Sequence, residues 1–309
     1  MDKIGLYLGC NIPLKAPDIE QSIRKVFPVL GVEPVDLEGA GCCPAWGTAP
    51  SFDMDTWCAV SSRNITIAEE KELDIMTGCN SCFGVLSEAK HFLENKERRN
   101  RVNGKLSAID REFKGTSDVY HLSHILHRHI GVEKIKNNLK YNLDGLKIAV
   151  QTGCHNLWPS DVYKIKEENP YSPTMLTELC QAIGATVPHY SRLSACCGMG
   201  GMRSTDAEKS LKLFKTKLLS IKEETDADII VTTCSSCFLQ FEMSQPILKK
   251  RGEIDFEPIP TFYYTQLLAL CMGFDPAQVA SISNIDRSAV IAEIQSEERL
   301  VQNLAEQEA

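Results

Sequence analysis

Short apolar runs alternate with amphipathic stretches along this chain, and four of the runs end on a cysteine: KIGLYLGC at Cys10, ELDIMTGC at Cys79, LKIAVQTGC at Cys154 and ADIIVTTC at Cys234. Runs of this length, rich in β-branched residues and closed by Gly or Thr, predict buried parallel strands that each lead into a helix. The sulfurs would then sit at strand C-terminal ends, where open α/β sheets build ligand sites. Helix N-termini converging there would favour the negative charge of bound thiolates. Helices are expected over 17–30, 55–72 and 82–99, and again over 172–184, 205–225 and 237–251. Related segments, DVYHLSHIL at 118–126 and PTFYYTQLL at 260–268, finish the two halves, and the turn-rich YNLDGLK at 141–147 separates them. The expected fold class is α/β: two tandem pseudo-symmetric βα domains with parallel-sheet cores, at 1–143 and 144–274. The tail, 275–309, leaves this pattern. Within 286–304 the spacing of Val290, Ile291, Ile294, Val301 and Leu304 predicts an amphipathic helix.

The cysteines repeat with the halves. Ten of the thirteen fall into two copies of one order, a lone cysteine, a vicinal pair and a CxxC. The first copy is Cys10, Cys42, Cys43, Cys79 and Cys82; the second is Cys154, Cys196, Cys197, Cys234 and Cys237. A chain of 309 residues is long enough for two domains that each bury a core, and 43% hydrophobic with 24% charged residues is ordinary for a globular protein. The formal charge of -8 argues against a nucleic-acid partner. No apolar run reaches membrane-spanning length and the N-terminus lacks a secretory pattern, so the expected location is the cytoplasm. In that reducing compartment a disulfide framework is not expected, and metal or redox chemistry becomes the leading account of the cysteines.

Structural zinc takes four ligands in a closed tetrahedron, and each set offers five thiols. A multi-iron cluster spreads its metal over several ångströms, so neighbouring cysteines can serve different irons, although an ordinary cubane also needs only four. Iron–sulfur clusters lead, with zinc and a metal-free thiol relay as the alternatives. Cys58, Cys180 and Cys271 lie outside the repeat and are expected to be small buried apolar residues.

GCCPAWG and ACCGMGG, each followed by a CNSC or CSSC, resemble the CCG cysteine-rich domains of the heterodisulfide reductase B subunit over roughly residues 3–270. The first copy has Pro44 where the second has Gly198, which departs from the literal signature without removing a thiol. The resemblance implies that each quintet holds a noncubane [4Fe-4S] cluster and that the two clusters face one another across a cavity. The implied activity is reduction of the coenzyme M–coenzyme B mixed disulfide to two thiols, as in methanogenic archaea. Electrons would come from the C and A subunits of heterodisulfide reductase in a bifurcating complex with hydrogenase or formate dehydrogenase modules. The alternative is an iron–sulfur electron-transfer component of a lactate/glycolate-type or thiol:fumarate oxidoreductase.

The substrate anions that this resemblance implies need cations, and Arg203 in GMGGMR is the first choice, against an ordinary surface ion pair. GMGGMR itself lacks the full dinucleotide pattern and reads as a turn enclosing a cluster. His155, beside Cys154, is expected to contact cluster or substrate or to be structural. Trp46 and Trp158 would wall the site or pack in a core. Lys96, Arg98, Arg99 and Arg101 read as a solvated helix end. His121, His124, His127 and His129 match no zinc spacing and read as a polar interface helix.

Overall fold

The computed structural model describes residues 1–46, 49–163 and 168–301. The first half runs β1 (Lys3–Tyr7), α1 (Asn11–Lys15), α2 (Pro17–Val29), β2 (Glu33–Asp36), α3 (Ala49–Phe52), α4 (Met54–Glu70), β3 (Ile75–Thr77), α5 (Asn80–Phe92), α6 (Lys96–Leu106), β4 (Val119–His121), α7 (Leu122–His124) and α8 (Val132–Lys136). The second runs β5 (Ile148–Gln151), α9 (Met175–Ala182), α10 (Gly200–Thr205), α11 (Ala207–Thr225), β6 (Ile229–Thr232), α12 (Ser235–Lys250), β7 (Thr261–Tyr263) and α13 (Tyr264–Cys271), followed by α14 (Pro276–Val279) and α15 (Ser288–Ile294). The fold is α/β, as the apolar runs predict.

Two all-parallel sheets form, in the orders β2-β1-β3-β4 and β5-β6-β7. Strands β3, β5, β6 and β7 are buried at every position, the condition that makes parallel strands read as continuous apolar runs. The second sheet has only a remnant of a fourth strand, a single parallel bridge between Lys147 and Thr186. Among the described residues no helix is long and apolar enough to cross a membrane.

Three elements differ from their sequence expectations. The helix expected over 82–99 is two helices, because Asn95 caps α6 by accepting a hydrogen bond from Arg98 N at 3.0 Å. The histidine segment is not one helix: His121 ends β4, His124 lies in α7, and His127 and His129 lie in a π-helical turn, Ile125–Ile130. In the tail, α15 stops at Ile294; Leu300 then pairs antiparallel with Tyr141 and Val301 N bonds Lys140 O at 3.0 Å, drawing the chain back over the linker. Leu304 lies outside the described residues.

Each half completes the other. Helix α13, at the end of the second half, packs on α2 of the first, while α7, α8 and the π-helical turn pack on α9 of the second. Buried side chains from both halves form one continuous core. At the seam, His121 and Tyr263 occupy equivalent strand ends. The Tyr263 hydroxyl lies 2.7 Å from Gly78 O and 2.8 Å from Thr233 O, and His121 Nε2 donates to Thr233 O at 3.1 Å. These carbonyls immediately precede Cys79 and Cys234, so one phenol ties both CxxC turns together. Tyr263→Phe is expected to cost about 1 kcal/mol, read from the denaturant midpoint, because the turns keep their other bonds and lose this shared donor.

Candidate functional site

Strand geometry delivers the sulfurs. Cys10 follows β1 at the start of α1, and Cys154 follows β5 in a single 3-10 turn. Cys79 and Cys234 are the extended N-cap residues of α5 and α12, so Cys82 and Cys237 sit one turn inside those helices. The vicinal pairs arrive on loops. The two sets then repeat in space: Cys43 Sγ lies 3.4 Å from Cys82 Sγ, and Cys197 Sγ lies 3.2 Å from Cys237 Sγ. In both sets one member of the vicinal pair is exposed, Cys42 and Cys196, and the other buried. Hydrogen bonds from Cys42 and Cys82 push the Cys43 thiol down to about 5, and bonds from Cys154 and Cys197 do the same to Cys196, to about 2. The neighbours that share those bonds, Cys42, Cys82, Cys154 and Cys197, are pushed up in turn, so each set holds thiolate beside thiol.

The quintets touch. Cys79 Sγ lies 3.6 Å from Ser236 Oγ, inside the second CxxC, and the neighbouring Cys234 thiol, followed by Cys82, holds the Cys79 pKa well below the ordinary thiol value. Around that contact Asn80 Nδ2 donates to Thr152 O at 2.7 Å and Asn11 Nδ2 to Ser236 Oγ at 3.0 Å, each bond crossing between halves. The first quintet lines a cavity of about 230 Å³ and the second one of about 720 Å³. Ala45, Ser81, Met199, Gly200, Ser204 and Ser236 line both, so the two spaces adjoin beneath the start of α10, which takes up Gly200–Arg203 of GMGGMR where a turn was expected. Among the described residues no three His, Cys, Asp or Glu side chains surround a single ion-sized point. All five thiols of each set line one space.

A CCG cysteine-rich domain matches residues 4–87 and 148–242. The chain is 51% identical, over 97% of its length and all of the relative's, to a protein of Archaeoglobus profundus described as like the heterodisulfide reductase B subunit. The chain belongs to the heterodisulfide reductase B-subunit family. Another relative is the B subunit of the ferredoxin/F(420)H(2)-dependent CoB-CoM heterodisulfide reductase of Methanosarcina acetivorans, at 39% identity over 95% of this chain and 98% of that one. A hypothetical protein from Helicobacter pylori shares the fold with a TM-score of 0.70 at 15% identity; the match covers 90% of this chain and spans half of that one.

In this heterodisulfide reductase family member the expected site residues are partly assembled. Arg203 lines the smaller cavity, with Nη1 bonded to Gln240 Oε1 and Ser244 Oγ at 3.1 Å each. His155 lines the larger one; burial lowers its pKa, and its Nδ1 has no partner among the described residues. Trp46 lines the same cavity and packs 4.9 Å from Trp57. Trp158 does not wall the site: it is 39% exposed and stacks edge-on against Tyr171. Arg98 and Arg101 pair with Asp55 on the surface, which accounts for the basic run. His121 and His124 are buried at the seam, and burial holds His121 down at about 4, so it is neutral. Cys58, Cys180 and Cys271 are fully buried, as small apolar residues would be.

Sequence reasoning missed Tyr263, Asn80 and Lys217. Tyr263 had a signal, since it stands where His121 stands in the related closing segments. Lys217 had one too: it shares the apolar stripe of α11 with Phe214 and Ile221, where a lysine is out of place.

Proposed function

We propose that this chain is the disulfide-reducing component of a heterodisulfide reductase complex. It would convert the coenzyme M–coenzyme B mixed disulfide, with two electrons and two protons, to two thiols. The observation that carries this reading is the pair of five-thiol sets lining two adjoining cavities, with Cys79 Sγ 3.6 Å from Ser236 Oγ where they meet. Cys10, Cys42, Cys43, Cys79 and Cys82 would hold one noncubane [4Fe-4S] cluster; Cys154, Cys196, Cys197, Cys234 and Cys237 would hold the other. The carrying units are 1–143 and 144–274, with 275–309 as tail. The donors fit such groups: all are sulfur, each set exceeds the four thiolates of a cubane, and several are poised as thiolates. When bound, the clusters supply single electrons and iron with affinity for sulfur on both sides of the substrate bond.

The chain's residues do the rest. Arg203 retains guanidinium donors beyond the two bonds it makes, enough to receive a sulfonate, carboxylate or phosphate. His155 lines the larger cavity beside Cys154 and would meet substrate through its other ring nitrogen, since Nδ1 is buried toward Gly84. Trp46 and Met199 give the cavity an apolar side that limits water. Electrons would arrive from the C and A subunits, fed by a hydrogenase or formate dehydrogenase in a cytoplasmic bifurcating assembly.

The test uses complex purified without oxygen. About eight irons per chain are expected, the content of two [4Fe-4S] clusters, together with turnover of the mixed disulfide by reduced methyl viologen. Full iron without disulfide turnover would instead assign an electron-transfer component of a lactate/glycolate-type or thiol:fumarate oxidoreductase.

A further inference from the structure

The loops carrying the two vicinal pairs are pinned from behind by different chemistry. In the first half the buried members of the clamp are neutral. Asn64 accepts from Gly41 N at 2.9 Å and reaches Cys42 O at 3.4 Å, while Tyr7 Oη donates to Gly41 O at 2.7 Å. Burial, then the nearby thiols, push the Tyr7 phenol far up, so it carries no charge. The neighbouring cation, Arg63, is half-buried, bonds Gly39 O and donates to Asn64 Oδ1 at 3.2 Å, so it stands at the edge of this clamp where water still reaches and partly screens it.

In the second half the clamp is charged. Lys217 is 1% exposed, and its Nζ donates to Arg192 O at 2.7 Å, Leu193 O at 3.0 Å and Ala195 O at 2.8 Å. Those bonds use all three donors of an ammonium and fix the loop that leads directly into Cys196. The Tyr190 ring lies 5.4 Å from the same nitrogen. Among the described residues no carboxylate pairs with it. Burial pulls its pKa down to about 8, and the charges that oppose this are Cys237, Cys197, Cys196 and Cys154. A fully buried ammonium thus stands directly behind the loop of the second vicinal pair, whereas the cation behind the first is a half-buried guanidinium at the edge of its clamp.

We propose that Lys217 is a positioning residue that makes the two cluster sites electrically unequal, so that the centre held by the second quintet is the more easily reduced. The inference rests on the iron–sulfur reading above. A positive charge in a poorly screened interior favours the more negative, reduced state of a neighbouring centre. The loop bonds set the distance over which that charge acts. Electrons entering the chain then settle first on the second site, and the disulfide meets one rich and one poor neighbour.

The experiment compares wild-type complex with Lys217→Gln, which keeps donors but not charge, and Lys217→Arg, which keeps both. Each is read by iron content and by a potentiometric titration followed by electron paramagnetic resonance. In Lys217→Gln one centre is expected to show a reduced-to-oxidised ratio about tenfold lower at fixed potential, about 59 mV for one electron, with the other centre unmoved. Lys217→Arg should titrate like wild type. Loss of the second centre from the Gln variant alone also supports a charge requirement. Full iron with neither centre moved, both centres moved equally, the same shift in the Arg variant, or loss of the second centre from both variants would each overturn it. Iron-free wild-type protein would instead remove the iron–sulfur reading and this inference with it.

Discussion

Cys82→Ser is expected to remove about half of the iron and all disulfide turnover in a single step, because a ligand set is lost as a unit when one of its members no longer binds. Cys82 is buried, its Sγ lies 3.4 Å from Cys43 Sγ, and the backbone at Gly9 approaches it so closely that a Cβ there would stand 2.7 Å away. Serine brings a hard oxygen with a high pKa into a position built for a soft thiolate. The alternative chemistry, attack of a CxxC thiolate on the disulfide, predicts another result: full iron, unchanged visible absorbance and loss of turnover alone. Iron, sulfide and absorbance measured beside viologen-driven turnover separate the two. Cys58→Ser serves as control, since Cys58 is buried in α4 outside both quintets.

Gly153→Ala is expected to empty the second site while Gly131→Ala leaves it filled. The two glycines have nearly the same backbone, φ 83° and ψ 151° against φ 86° and ψ 147°, a region open essentially to glycine alone. Both substitutions therefore cost about 1–3 kcal/mol of strain. Their surroundings differ. A Cβ at Gly131 meets nothing within 4 Å, whereas one at Gly153 overlaps Asn80 Nδ2 and stands 3.5 Å from Cys237 Sγ. Asn80 is the side chain that bonds Thr152 O across the seam, so the added methyl strikes the joint between halves and the turn that presents Cys154. Iron per chain should fall toward half in Gly153→Ala and stay at the wild-type value in Gly131→Ala. Equal iron in the two variants would mean that the close approach has no bearing on the site.

The strands and the thiol sets were legible because each rests on a local pattern. KIGLYLGC and ADIIVTTC carry their β-branched runs and their cysteines within a few residues, and the structure forms β1 and β6 there. Helix α4 forms where its helix was expected over 55–72, and its Asp53 cap, whose side chain accepts from the backbone N–H groups of Asp55 and Thr56, sets its start. What escaped depends on contacts between residues far apart in sequence. Nothing local to Tyr263 says that it reaches Gly78, and nothing local to Thr152 says that it receives Asn80. His121 has helix-forming neighbours, yet its pairing through β4 and its bond to Thr233 O hold it at a strand end. Trp158 failed as a wall for the same reason. Its nearness to Cys154 in sequence does not set the direction of its ring, which turns to Tyr171 and the surface.

The exchange of closing helices also bears on how the molecule is made. Helix α2 leaves the ribosome long before α13, but the face it buries waits for Thr265, whose hydroxyl meets Ser22 Oγ at 2.6 Å, and for the rest of α13. The first half therefore cannot finish its interior during its own synthesis, and it remains incomplete until α13 has emerged. In the iron–sulfur reading proposed above, loading of the first centre would follow that docking, and a product truncated before α13 would offer an unfinished receptacle.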